Sequence, residues 1–200
     1  MRQFSGDPET IWLCSNSPAH ADPNDRNMVV VEEFWFVDSN DHKWTTPANC
    51  VIDGASIPRA LWSLVGSPYT GHYRRASVVH DKACEDAKGA ADPAAARAAA
   101  DRMFYDACRE GGCNWFEAVC LYVGVRIGAY VSQVAPELLA EPEGPAIARP
   151  QDQIIIDHYQ SVAQQVTQAG ETDDAAEVEQ RTDIAMARWA QITAAQLRMV

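Results

Sequence analysis

Large apolar residues gather in two runs early in the chain. Thr10–Cys14 and Met28–Val37 are rich in Val, Ile, Trp and Phe, so both predict strands. Between them, Asn16, Pro18, Pro23, Asn24 and Asp25 mark a loop. Ser39-Asn40-Asp41 is a turn, and Lys43–Thr46 returns as a short strand, so the two runs predict a hairpin. Ala48–Ile52 is expected to extend that sheet.

After Asp53 the period changes to that of helices. Ser56 is a plausible N-cap with Pro58 just inside, predicting a short helix over Ile57–Val65. Gly66–Gly71 reads as a loop, and Tyr73–Ala87 as a helix stopped by Gly89. Asp92 caps the next helix with Pro93 at its first position, and that helix runs over 93–110 to Gly111-Gly112. Asn114 caps a long amphipathic helix to about Val134. Within it, Gly124 and Gly128 have G-x-x-x-G spacing around Arg126, a pattern for close packing of soluble helices. Pro136, Pro142, Gly144, Pro145 and Pro150 make 136–150 a linker. Beyond it, 151–200 predicts two helices, over 151–168 and 174–198. Ile155, His158, Tyr159, Val162 and Val166 form a stripe on the first. Ile184, Ala187, Trp189, Ile192 and Leu197 are less regular on the second. The expected fold is α+β: a small antiparallel sheet, then a helical core with a helical hairpin, then a helical extension. The expected division is a core over 1–135, the linker over 136–150 and the extension over 151–200.

Composition narrows the function classes. The chain has 200 residues, 47% hydrophobic and 22% charged, which is globular rather than disordered. Its net charge of −12 lacks the basic face that a general nucleic-acid binder needs. The tail 151–200 holds eight acidic and three basic residues, a net of −5, and its apolar stripe needs a cover: its own body, a second copy or a protein partner. The first residues, Met1 to Pro8, have no apolar run, so no signal peptide is expected. Glu117, Arg126 and Gln133 interrupt the most apolar stretch, so no transmembrane segment is expected. The six cysteines form no C-x-x-C pair and are read as thiols of a reducing cytoplasm.

One pair of residues carries candidate chemistry. Ala76, His80, Ala83 and Ala87 fall on one helical stripe, which puts His80 on the small-residue, buried face. The short connection Lys88–Asp92 forces an antiparallel hairpin. His80 and Asp101 stand at matching heights, each about 15 Å from the turn, so they can meet across it. A carboxylate on one imidazole nitrogen fixes the tautomer and frees the other nitrogen as a base. Asp81 lies about 100° further round and could ligate a hard cation such as Ca²⁺. The alternative is a buried hydrogen bond that pins two helices, with Asp81 exposed. Asp53-Gly54-Ala55-Ser56 offers Asp53 as a second carboxylate and Ser56 as a nucleophile, or simply a turn before a capped helix. Arg75, beside Arg74, is a candidate anion contact, and His72 is a weaker candidate to join His80 at a metal.

Asp53-Gly54-Ala55-Ser56-Ile57-Pro58-Arg59, Leu61-Trp62, Arg75-Ala76 with His80-Asp81, Ala100-Asp101 with Phe104, and Val125-Arg126-Ile127-Gly128 together resemble the domain-of-unknown-function family numbered 1353. That resemblance implies a bacterial, prophage or phage setting, hence the bacterial cytoplasm or a phage particle. More distantly, His80-Asp81 followed by Asp101 and Phe104 is similar to the helix pair of phospholipase A-two enzymes. This likeness implies His80 as base, Asp101 as its orienting acid and Asp81 as a Ca²⁺ ligand. The glycine-rich calcium loop of those enzymes is absent, and Cys84 stands near where a Tyr is often found. The expected function is a His-Asp hydrolase of ester or phospholipid type. The alternative is a non-enzymatic structural or assembly component of a phage or prophage particle. A metal phosphohydrolase is a weaker third.

Overall fold

The computed structural model describes residues 1–14, 27–66, 71–136, 139 and 149–189. The loop expected between Cys14 and Met28, most of the loop expected over Gly66–Gly71, most of the linker and the end of the helix expected over 174–198 lie outside them. The chain divides into two compact units, Met1–Ala55 with Pro68–Cys113, and Ser56–Ser67 with Asn114–Val200.

The first unit holds two antiparallel three-stranded sheets. One has the order β1–β4–β5, from Gln3–Phe4, Phe34–Val37 and Lys43–Thr46. The other has the order β2–β3–β6, from Thr10–Trp12, Met28–Val30 and Val51–Ile52. The predicted β4–β5 hairpin forms, with Phe34 opposite Thr46 and Val37 opposite Lys43. Its turn is held by Asp38, whose Oδ1 accepts the N–H groups of Asn40 and His42 while Oδ2 accepts the Trp44 indole N–H at 2.8 Å.

Two expectations are corrected. The run Met28–Val37 is not one strand: it breaks at Val31-Glu32-Glu33, and its halves join different sheets. In an unbroken strand Glu32 would join the buried face of Met28, Val30, Phe34 and Phe36, where a lone carboxylate is costly. Residues 48–52 do not extend the hairpin sheet either, because Val51–Ile52 pairs with β3. Strand β1 was not predicted; at two residues it has no period to read, and Phe4 is held by the rings of Phe34 and Phe36 at 5.8 and 4.7 Å.

Helices α2, Arg74–Ala87, and α3, Pro93–Glu110, form the predicted hairpin. The Asp92 side chain accepts the Ala95 N–H, as a cap must. On α2 the stripe Ala76, His80, Ala83 and Ala87 is buried, and so are Ser77, Val78, Val79 and Cys84. The helix is covered twice over because α3 packs on one flank while β4, β5 and β6 pack on another.

The second unit begins with a 3₁₀ turn, Arg59–Leu61, and helix α1, Trp62–Val65. Ser56 is not its cap: Pro58 holds that position and no side chain caps the turn. Helix α4 spans Trp115–Val134, with the Asn114 side chain accepting the Glu117 N–H. It is buried on nearly every side between Ala118 and Val131, not amphipathic. Helix α5, Pro150–Gln168, lays its predicted stripe down against α4 and packs also on α6, Ala175–Ala187. On α6 the buried positions are Ala175, Val178, Thr182 and Ala185, so Ile184 faces outward at 55% exposure. Ile192 and Leu197 lie outside the described residues.

Candidate functional site

The hairpin brings His80 and Asp101 together. His80 Nε2–H donates to Asp101 Oδ1 at 2.8 Å, the contact predicted from counting heights on the two helices. Arg97, one turn before Asp101 on α3, donates from Nε to the same oxygen at 3.0 Å. Cys84, one turn after His80 on α2, sets its Sγ 3.3 Å from Nε2 and 3.7 Å from Nδ1. The Phe104 ring lies 4.7 Å from the imidazole, centre to centre. Both His80 and Asp101 are 0% exposed.

The electrostatics follow from this packing. Burial pulls the imidazole toward neutrality, but Cys84 and the hydrogen bond to Asp101 more than offset it and hold its pKa up at about 9. Burial likewise favours the acid form of Asp101, yet the hydrogen bond from His80 and the Arg97 guanidinium win and keep its pKa below the usual carboxylate value. The cluster is therefore an internal ion pair with Arg97 as a second cation. A ring whose nitrogens face Asp101 and Cys84, inside a core, presents no base to solvent.

Asp81 faces the loop that follows β6. Its Oδ2 accepts the N–H groups of Asp53 at 2.6 Å and Gly54 at 3.4 Å. Gly54 has φ +99, a conformation that favours glycine, and it lets the loop turn its amides toward the helix. Burial, then the Asp53 carboxylate, push the Asp81 pKa up to about 7. The two N–H donors both take Oδ2 of the carboxylate.

Within the first unit, Arg75 and His72 are placed apart from this cluster. Arg75 pairs with Asp7 at 3.6 Å and stacks over the Phe4 ring at 4.7 Å. Ser56 belongs to the second unit, where its carbonyl lies against Gly128. His72 sits near Gly111 and Gly112. Cys84 and Arg97 are the members of the cluster that sequence reasoning missed, although each stands at i, i+4 from a residue that it singled out.

A family model described as protein of unknown function (DUF1353) matches residues 28–125. Uncharacterized protein y4jT of Sinorhizobium fredii (strain NBRC 101917 / NGR234) is 39% identical over 93 residues, 46% of this chain and 26% of that protein. Uncharacterized protein y4iH of the same organism is 41% identical over 64 residues, 32% of this chain and 27% of that one. The chain thus spans about a quarter of the length of these curated relatives. No solved structure matches. Strands β3 to β6 and the whole His80–Asp101 hairpin fall inside the matched segment, and this segment belongs to the DUF1353 family of proteins of unknown function.

Proposed function

We propose that this chain is a non-enzymatic structural or assembly component, and that His80–Asp101–Arg97 is an internal clasp fastening its helical hairpin. One observation carries this: the imidazole on which the hydrolase depends has 0% exposure, with Asp101 equally sealed. A general base must reach the proton it abstracts directly or through one water. Exposed apolar residues support an assembly role. Among the described residues β2 is the edge of its sheet, and it carries Ile11 at 56% and Trp12 at 50% exposure. Ile184 on α6 is exposed at 55%.

Two assays test this. Wild type and His80→Ala should be equally inert against ester and phospholipid panels with and without Ca²⁺, and turnover by wild type that His80→Ala loses would reject the proposal. Light scattering should show concentration-dependent association that Trp12→Lys or Ile184→Lys weakens; a strict monomer at all concentrations would count against self-assembly.

The hydrolase remains the second reading, on one specific observation. Asp81 gathers the Asp53–Gly54 loop beside the turn of α2 that carries His80, which brings two carboxylates to one place. Activity that survives in wild type and falls in both Asp81→Asn and His80→Ala would favour it.

A further inference from the structure

His80, Cys84 and Asp101 set three different ligand atoms within 4.8 Å of one another, all on buried residues. Nε2 of His80 is 2.8 Å from Asp101 Oδ1 and 3.3 Å from Cys84 Sγ. Nε2 thus has a carboxylate oxygen and a sulfur both beside it. A cation in the same place would satisfy all three.

We infer that the hairpin of α2 and α3 carries a transition-metal site, ligated by His80 Nε2, Cys84 Sγ and Asp101, that suits Zn²⁺. Bonds of about 2.0–2.3 Å from nitrogen, sulfur and oxygen to zinc would separate these donors by distances close to those present, with Nε2 and Oδ1 opening slightly. The donor set is diagnostic. A thiolate with an imidazole selects a borderline-soft ion and disfavours Ca²⁺ and Mg²⁺, which take oxygen. His80 and Cys84 lie one helical turn apart, and Asp101 arrives across the hairpin, so the ion would tie the two helices together. On binding, Cys84 gives up its thiol proton and His80 its Nε2 proton, both to solvent, and His80 keeps its N–H on Nδ1. The thiolate and the Asp101 carboxylate balance the two positive charges of the ion, while Arg97 keeps its hold on Asp101. A water would take the fourth position.

This goes beyond the non-catalytic proposal and does not depend on it: metal content decides the one and turnover the other. The test uses the full chain, purified under reducing conditions without a metal-affinity step. Titration of the metal-free protein with Co²⁺ should give a thiolate-to-cobalt charge-transfer band that saturates at a single equivalent, and Zn²⁺ should displace it. Cys84→Ala and Cys84→Ser should abolish the band, and Asp101→Asn should weaken Zn²⁺ by about a hundredfold, with circular dichroism confirming that each variant is folded. Zn²⁺ should also raise the thermal midpoint of wild type and not of Cys84→Ser. A folded wild type with no such band, or a band unchanged in both Cys84 variants, overturns the site. If Cys84→Ala does not fold, Cys84→Ser decides.

Discussion

Asp101 is the residue on which most of the buried charge turns. It accepts from both His80 and Arg97, and removing it leaves an imidazolium in a core with no counter-charge. Breaking one partner of a buried pair costs about 3–5 kcal/mol, whereas replacing both by apolar residues of similar size is often near neutral. Asp101→Ala should therefore lower stability by about 3–5 kcal/mol in urea denaturation, and the double variant His80→Leu/Asp101→Leu should lose less than the single one. Arg97, a fifth exposed, rehydrates in either case. Asp81 poses the opposite case. Its amide analogue keeps an oxygen for the Asp53 and Gly54 N–H groups and removes the repulsion with the Asp53 carboxylate. Asp81→Asn should match wild type near pH 3 and exceed it progressively as the pH rises through about 7, read as thermal midpoint against pH. A loss of stability at pH 8 instead would mean that the charge has a cationic partner.

At the scale of elements, the two glycines of α4 look alike in sequence and differ in space. A Cβ on Gly124 would meet Ile57 Cγ2 at 3.4 Å, an ordinary contact. A Cβ on Gly128 would stand 2.1 Å from the Ser56 carbonyl oxygen, where backbone must move. Gly124→Ala should be tolerated within about 1 kcal/mol, since alanine is the better helix former, while Gly128→Ala should cost about 3 kcal/mol or more or fail to fold. Denaturation midpoints of the two variants separate these outcomes. The spacing pointed to close packing, but it could not tell which glycine is indispensable, because that depends on where the segment before α1 crosses. The same limit explains the sheets. Hydrophobic runs marked where β2 to β5 lie but missed β1 and the break at Val31-Glu32-Glu33, and partner choice for residues 48–52 was settled by non-local pairing with Met28 and Val29.

For the whole molecule, two groups oppose each other across pH. Asp81 has a folded pKa raised from 3.8 to about 7, so its contribution is full below about 3.8 and is lost as the pH rises through 7. His158, buried near the rings of Tyr130 and Trp189, has its pKa pushed down by burial to about 4. Its unfolded form takes up a proton near pH 6.5, so its contribution is full above that value and is lost as the pH falls toward 4. Between about 6.5 and 4 the His158 loss runs against the Asp81 gain, so His158→Leu should gain on wild type progressively along that acid limb in thermal scans. An unchanged limb in that variant would place the acid sensitivity on other groups.

Local spacing in the sequence determined the helices, their Asp92 and Asn114 caps, and the meeting of His80 with Asp101, because helical rise and a short connection leave little freedom. The β4–β5 hairpin was legible for the same reason. Tertiary structure alone decided that the imidazole is sealed, that Asp81 faces backbone N–H groups, that Cys84 and Arg97 join the cluster, and that the tail's stripe is covered by α4. Those are matters of which distant surfaces pack together, and burial is a property of the packed whole that no local period encodes.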